Sequence, residues 1–271
     1  MKIINEINQD ILDNDICLIP TMGALHKGHL SLIEKGKNLG LQTMVSIFVN
    51  EMQFNEKEDF KSYPRPIEED IKILNNLHID YLFIPENNYI YSKNSFEIID
   101  SGDLGELYEG KSRPGHFDGV LTIVNRLFQL IDPKVAIFGK KDAQQLFLIK
   151  DMLLKKRYKA EIIEVKTIRE NSGLALSSRN LLLTDNGKNK ASLIYKILKE
   201  AKKEFSNNRE LSSFEGFSSR YLNINFDYLE ILDLETFSKP TKKTSEYIIL
   251  AAALIEGVRL IDNIEFRMEK V

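Results

Sequence analysis

Two of the chain's four histidines stand three residues apart, in the run Pro20-Thr21-Met22-Gly23-Ala24-Leu25-His26-Lys27-Gly28-His29. Ahead of it, the apolar stretch Ile16-Cys17-Leu18-Ile19 predicts a strand. Behind it, Leu30, Leu32, Ile33 and Leu39 give a helical face. A strand that breaks into a glycine turn and then opens a helix presents backbone N–H groups at the positive end of a helix dipole, where phosphate binds well. Two imidazoles at that spot point to chemistry on the phosphate as well as binding. In-line attack on the α-phosphorus of a nucleotide moves charge onto the non-bridging oxygens and the departing pyrophosphate, and N–H donors placed there stabilise it. Gly28 is expected to let the backbone approach the nucleotide without a side chain in the way. Zinc is the weaker reading, since no cysteine or third histidine sits nearby in the sequence.

Three further runs carry reactive side chains. Gly139-Lys140-Lys141-Asp142 follows the strand signal Val135-Ala136-Ile137-Phe138. Its lysines can neutralise phosphate and its aspartate can accept from ribose hydroxyls, although taken alone an ordinary charged turn explains it better. It lacks the spacing of a Walker A loop. Leu176-Ser177-Ser178-Arg179-Asn180, after Gly173, reads either as a cradle for the β- and γ-phosphates or as a helix cap. Arg113-Pro114-Gly115-His116-Phe117 reads as a mobile loop carrying Arg and His. His78 reads as a surface residue before a strand.

The elements that must hold these residues alternate. Strand signals at Met44–Val49, Ile79–Ile84, Val135–Phe138 and Ile162–Val165 are separated by helical patterns. One of these helices starts at Pro66 with Glu68, Glu69 and Asp70 in its first turn; another carries the stripe Val120, Ile123, Val124, Leu127 and Leu130; a third spans Leu146 to Leu154. Such alternation predicts an α/β fold, a Rossmann-like doubly wound parallel sheet whose ligands bind beyond the strand carboxyl ends. The pattern changes after about Thr167. A Lys-rich helix over roughly Asn186 to Phe205, a loop at Ser206-Asn207-Asn208, and strands at Tyr228–Leu232 and Tyr247–Leu250 predict a second, smaller C-terminal α/β domain.

A length of 271 residues allows one large or two modest domains. A net charge of −3 gives no reason to expect nucleic acid or an anionic membrane as partner, so any phosphate site is local. The single cysteine, Cys17, cannot form an internal disulfide and points to a reducing cytoplasm. No signal-peptide core follows Met1, and the longest apolar run, Ile248 to Ile255, is too short to span a bilayer.

His26-Lys27-Gly28-His29 resembles the "HIGH" signature of nucleotidyl-transferring α/β enzymes. Together, and in order, the motifs resemble the pantothenate synthetases (pantoate–β-alanine ligases) of that superfamily. The matching blocks are Pro20 to His29; Phe48-Val49-Asn50 with Gln53-Phe54; Tyr63-Pro64-Arg65; and Arg113 to Phe117 with Gly119-Val120. They continue with Phe138-Gly139, Lys141-Asp142 and Gln144-Gln145-Leu146; Gly173 to Asn180; and Arg259-Leu260-Ile261-Asp262-Asn263.

The resemblance implies a cytoplasmic, homodimeric ligase that uses ATP with Mg²⁺. (R)-Pantoate is adenylated with release of pyrophosphate, and the amine of β-alanine then displaces AMP. It implies a domain binding ATP and pantoate over 1–167 and a smaller lid domain over 168–271. Met22, Gly23, Ala24, Leu25, His26, Lys27, Gly28 and His29 would line the ATP site, with His29 as proton donor and His26 its companion. Gly139, Lys140, Lys141, Asp142, Ile168, Leu176, Ser177, Ser178 and Arg179 would also meet ATP, with Lys141 on the phosphates. Gln53 and Gln145 would hold pantoate, Gln53 would help place β-alanine, and Asn50 would stand beside that pocket. The family's usual residues are replaced at Glu51, Met52, Lys140, Lys166, Asn171-Ser172 and Ile90-Tyr91-Ser92, and none of these departures removes a side chain expected to touch substrate. No Mg²⁺ ligand stands out; Asp70 is the one acidic candidate, and a helix-capping acid explains it equally well. The competing readings are a nucleotidyltransferase acting on a phosphate ester, which has no use for Gln53 and Gln145, and a catalytically silent nucleotide-binding regulator.

Overall fold

A computed structural model describes residues 1–55, 57–92, 96–208, 211, 214 and 216–269. By its contacts the chain forms two compact units. One comprises Met1–Lys140 with Gln144–Lys166, and the other Lys141–Ala143 with Thr167–Val271.

The first unit is built on a six-stranded parallel sheet: β1 (Lys2–Ile4), β2 (Ile16–Thr21), β3 (Gln42–Ile47), β4 (Tyr81–Phe83), β5 (Val135–Gly139) and β6 (Glu161–Val165), in the order β1-β4-β3-β2-β5-β6. The chain steps outward from β2 through β3 to β4, then returns to place β5 on the other side of β2. The order therefore reverses at the β2/β5 junction, where open α/β sheets leave a crevice for ligands.

Both faces of the sheet are covered. Successive strand side chains point to opposite faces, so Ile16 and Leu18 of β2 join Met44, Phe83 and Phe138 against helix His116–Ile131, with Val124, Leu127 and Phe128 in the same core. Cys17 and Ile19 join Val45, Leu82 and Ile137 on the other face, with Leu32 and Ile33 of helix Lys27–Lys37 and Leu74 of helix Ile67–Asn76. Gly36 lets the helix Lys27–Lys37 lie close to the sheet. A Cβ there would stand 3.1 Å from Cys17 Sγ and 3.2 Å from Ile19 Cδ1.

The second unit carries a three-stranded antiparallel meander, β7 (Asn225–Asp233), β8 (Glu246–Ile255) and β9 (Val258–Arg267). Helix Asp185–Asn208 shares a core with it: Ile194, Ile197, Ala201 and Phe205 lie with Ile249, Ala251 and Ala253. Two segments differ from their sequence reading. Ser206-Asn207-Asn208, expected as a loop, continues this helix, and Arg259–Asn263 lies on a strand where none was expected.

Candidate active site

At the carboxyl end of β2 the chain turns through Gly23 and Ala24, both with positive φ (+80° and +50°). Thr21 opens the turn: its Oγ1 donates to Ser46 O at 2.8 Å and accepts from Gly23 N–H at 3.2 Å. Asp70 closes it from the first turn of helix Ile67–Asn76. Its Oδ2 accepts from Ala24 N–H and its Oδ1 from Leu25 N–H, each at 2.8 Å. Only 2% of Asp70 is exposed. Burial pushes its carboxyl above the usual aspartate value, against the pull of the two backbone N–H bonds. The peptide N–H groups expected to await phosphate are thus, at Ala24 and Leu25, held by an internal carboxylate.

The helix that follows starts on a cap made of the two histidines. His26 is the N-cap residue; its Nδ1 accepts from Gly28 N–H at 3.1 Å, and Nδ1 of His29 accepts from His26 N–H at 3.3 Å. This is the reciprocal capping box, built with imidazoles in place of a hydroxyl and a carboxylate. An Nδ1 that accepts carries no proton, so in this network each neutral ring keeps its hydrogen on Nε2. The rings lie 4.1 Å apart, centroid to centroid, and both residues are half-buried. Gly28 serves this cap: a Cβ on it would stand 2.8 Å from Cε1 and 2.9 Å from Nδ1 of His26. The room it leaves on this side is taken by the histidine ring, so a side chain at this position would displace the cap.

Below this turn lies a buried amide pair. Asn50, 1% exposed, donates through Nδ2 to Gly119 O (3.0 Å) and Gln53 Oε1 (3.2 Å). Its Oδ1 accepts from Met52 N–H at 3.1 Å and from the Tyr91 hydroxyl at 3.0 Å. Gln53 Nε2 donates in turn to Met22 Sδ. The Gln53 carbonyl accepts from His116 Nδ1 at 2.9 Å and from Arg113 at 3.3 Å, while Arg113 Nη1 donates to His116 Nε2 at 3.0 Å. His116 is buried in the first turn of its helix. Arg113 and His116, read from the sequence as cargo of a mobile loop, instead buttress Gln53. Of the neighbouring glutamines, Gln144 is structural: its amide bonds Leu104 O, Leu107 O and Glu109 N–H. Gln145 is half-buried beside it in the first turn of helix Ala143–Lys155.

Gly139 ends β5, and Lys140 pairs with Glu164 at 3.1 Å within the first unit. Lys141 belongs to the second unit, where its carbonyl accepts from Asn263 Nδ2 at 2.9 Å and its Nζ lies 3.9 Å from Asp142. In that unit Ile168 O accepts from Leu176 N–H at 2.9 Å, closing a turn around Gly173. Ser177 caps the short 3-10 turn Ser178–Leu182 by accepting from Arg179 N–H at 3.3 Å. The cap reading therefore holds for Ser177, while Ser178 and Arg179 begin the turn. Asp70, Tyr91, Arg113, His116, Asp262 and Asn263 all support these residues from a distance in sequence, and only Arg113, His116 and the Asp262-Asn263 pair fall within motifs.

A Rossmann-like sheet with a donor histidine pair on a helix N-terminus at its switch point defines the class, an α/β enzyme of the nucleotide-handling kind. The family model for pantoate-beta-alanine ligase matches residues 1–265, and the chain belongs to that family. The pantoate–β-alanine ligase of Schizosaccharomyces pombe is 43% identical over 258 residues, spanning 93% of this chain and 91% of the relative. The pantothenate synthetase structure from Thermus thermophilus superposes with a TM-score of 0.86 at 34% identity, covering 97% of this chain and 99% of its own. The Francisella tularensis ligase, solved with beta-gamma ATP and beta-alanine, gives 0.78 at 36% identity, with 97% of each chain covered. The activity is the ATP-dependent condensation of pantoate with β-alanine.

Proposed function

We propose that the condensation runs through a pantoyl adenylate formed at the His26–His29 turn. The carboxylate oxygen of (R)-pantoate attacks the α-phosphorus, and the bond to the bridging oxygen breaks to release pyrophosphate. The amine of β-alanine then attacks the acyl carbon, loses a proton, and AMP departs with the bridging oxygen. The capping box carries this reading. Because both Nδ1 atoms accept backbone protons, each neutral ring carries its hydrogen on Nε2, a donor of fixed tautomer suited to charge developing on phosphate oxygens. His29, expected as a proton donor, then acts by donating a hydrogen bond without giving the proton up, with His26 beside it.

Lys141 meets the phosphates as a point charge. Met22 to His29, Gly139 to Asp142, Ile168 and Leu176 to Arg179 line the nucleotide. Gln53 and Gln145 hold pantoate, with Asn50 fixing Gln53. A thioether sulfur is a weak acceptor, so Gln53 gains when a substrate oxygen replaces Met22 Sδ. The complex of the Francisella relative with beta-gamma ATP and beta-alanine supports ATP and β-alanine as ligands here.

Among the described residues no three of His, Cys, Asp and Glu converge as a metal cage, and both oxygens of Asp70 are taken by backbone N–H groups. Mg²⁺ would be held mainly by oxygens of the triphosphate, whose charge it would neutralise. The family resemblance supports a homodimer in the cytoplasm, and light scattering on the purified protein tests the dimer. Among the described residues no helix is long and apolar enough to cross a membrane.

The deciding assay mixes protein, ATP, Mg²⁺, (R)-pantoate and β-alanine. AMP release should require both organic substrates, and exchange of pyrophosphate into ATP should require pantoate alone. Exchange that ignores pantoate, or turnover only with a phosphate ester, sinks the adenylate route.

A further inference from the structure

The C-terminal run Arg259-Leu260-Ile261-Asp262-Asn263 has no part in the chemistry described so far, yet it holds a proposed phosphate ligand in place. Asp262 is 6% exposed on β9. Its two oxygens accept from Arg169 Nη1 at 2.6 Å and Nη2 at 2.7 Å, a bidentate pair, and Oδ1 also accepts from Asn263 N–H at 2.7 Å. The same guanidinium donates to Asn263 O at 3.1 Å and Gly173 O at 3.2 Å, and lies 3.6 Å from the centre of the Tyr195 ring. The backbone of Asn263 is thus pinned at its N–H and at its carbonyl. Its side chain reaches from that anchor to donate to Lys141 O at 2.9 Å.

We propose that Asn263, anchored by Asp262 and Arg169, is a positioning residue that sets the Lys141 backbone so that its ammonium meets the phosphates of ATP. This rests on the assignment of Lys141 to the phosphates. Two features of the cluster serve that end. The hydrogen bond fixes where the lysine stem starts, which matters because a flexible four-carbon stem otherwise spreads its charge over a wide volume. The Arg169 pair also engages both oxygens of Asp262, so the buried carboxylate of this cluster is matched by a guanidinium. The Lys141 ammonium itself lies 3.9 Å from Asp142, a long pair that triphosphate oxygens can displace.

The test is a double-mutant cycle on Lys141→Ala and Asn263→Ala, read by pantoate-dependent exchange of pyrophosphate into ATP, with circular dichroism as the check on folding. Asn263→Ala should lower exchange about three- to tenfold, the size of one lost hydrogen bond, with KM for pantoate unchanged. In the Lys141→Ala background the same substitution should have no further effect, because its only route to the phosphates is gone. A merely structural Asn263 would cost the same factor in both backgrounds, and that result overturns the proposal, as does full exchange by Asn263→Ala. Should Asn263→Ala fold poorly, Asn263→Asp keeps the shape but cannot donate, and the same cycle applies. Wild-type exchange by Lys141→Ala alone sinks the assignment of Lys141 itself, and with it the role of Asn263.

Discussion

Nδ1 of His29 accepts the backbone N–H of His26 at 3.3 Å, while Nδ1 of His26 accepts that of Gly28 at 3.1 Å. One side chain therefore performs two jobs through two different nitrogens, and the jobs are separable by substitution. His26→Asn supplies a capping oxygen but no Nε2–H. It should keep helix stability within about 1 kcal/mol of the parent while adenylation falls by about 10²-fold or more, the scale of a lost transition-state donor. Thermal melts and pyrophosphate exchange on the same preparation check both halves. Adenylation near the parent rate would remove His26 from the chemistry.

Gly28→Ala offers the complementary separation. Alanine is a better helix former by about 1 kcal/mol, but its methyl would sit 2.8 Å from the His26 ring. The variant should melt within a few degrees of the parent, about the shift that 1 kcal/mol produces, yet lose exchange activity as the ring is pushed aside. A variant with full activity would mean that the ring yields without consequence.

Asp70→Asn replaces an acceptor pair with one acceptor and one donor. One of the two N–H groups, Ala24 or Leu25, then faces an NH₂ group. The expected cost is about 1–3 kcal/mol of stability, together with a raised KM for ATP. Asp70→Ala leaves a small anion cradle, and formate should recover part of its activity. Loss of stability with unchanged KM would limit Asp70 to folding.

Glu164 accepts from Lys150 at 2.7 Å and pairs with Lys140 at 3.1 Å. Burial pushes its carboxyl up, but the two ammonium groups outweigh burial and hold it below the usual glutamate value. A lowered value in the folded state means that the unfolded chain binds the proton more readily. The stabilisation is therefore complete above about pH 4.3, the value of a free glutamate, and is lost as pH falls through the folded value. Glu164→Gln should cost up to about 1 kcal/mol at pH 7 and nothing in strong acid, with the gap shrinking in high salt. Urea melts across that range measure it.

The local parts of this design are legible in the sequence. The strand–turn–helix at Ile16 to Lys37 needs only apolar periodicity and a glycine turn, and both histidines stand where that pattern puts them. What escapes reading depends on the partner across space. Glycine at 28 is visible in the sequence, but the atom that fills the room it leaves is not. Acids in a first helical turn are common, so nothing local marks Asp70 as the clamp on residues 46 and 45 positions earlier. Likewise β9 mixes Arg259, Asp262 and Glu265 with apolar residues and shows no clean alternation, so its strand emerges only through pairing with β8. Ser206 to Asn208 resembles a loop because three polar residues end a Lys-rich stretch, whereas the helix continues past the buried Ala201 and Phe205.

The histidine cap also turns two amides into reporters. A proton can settle on Nδ1 of His26 only by expelling the Gly28 amide, and on Nδ1 of His29 only by expelling the His26 amide. Hydrogen exchange at those backbone positions is therefore coupled to the charge of the two rings, so the state of the imidazoles can be followed from the main chain while no substrate is turning over.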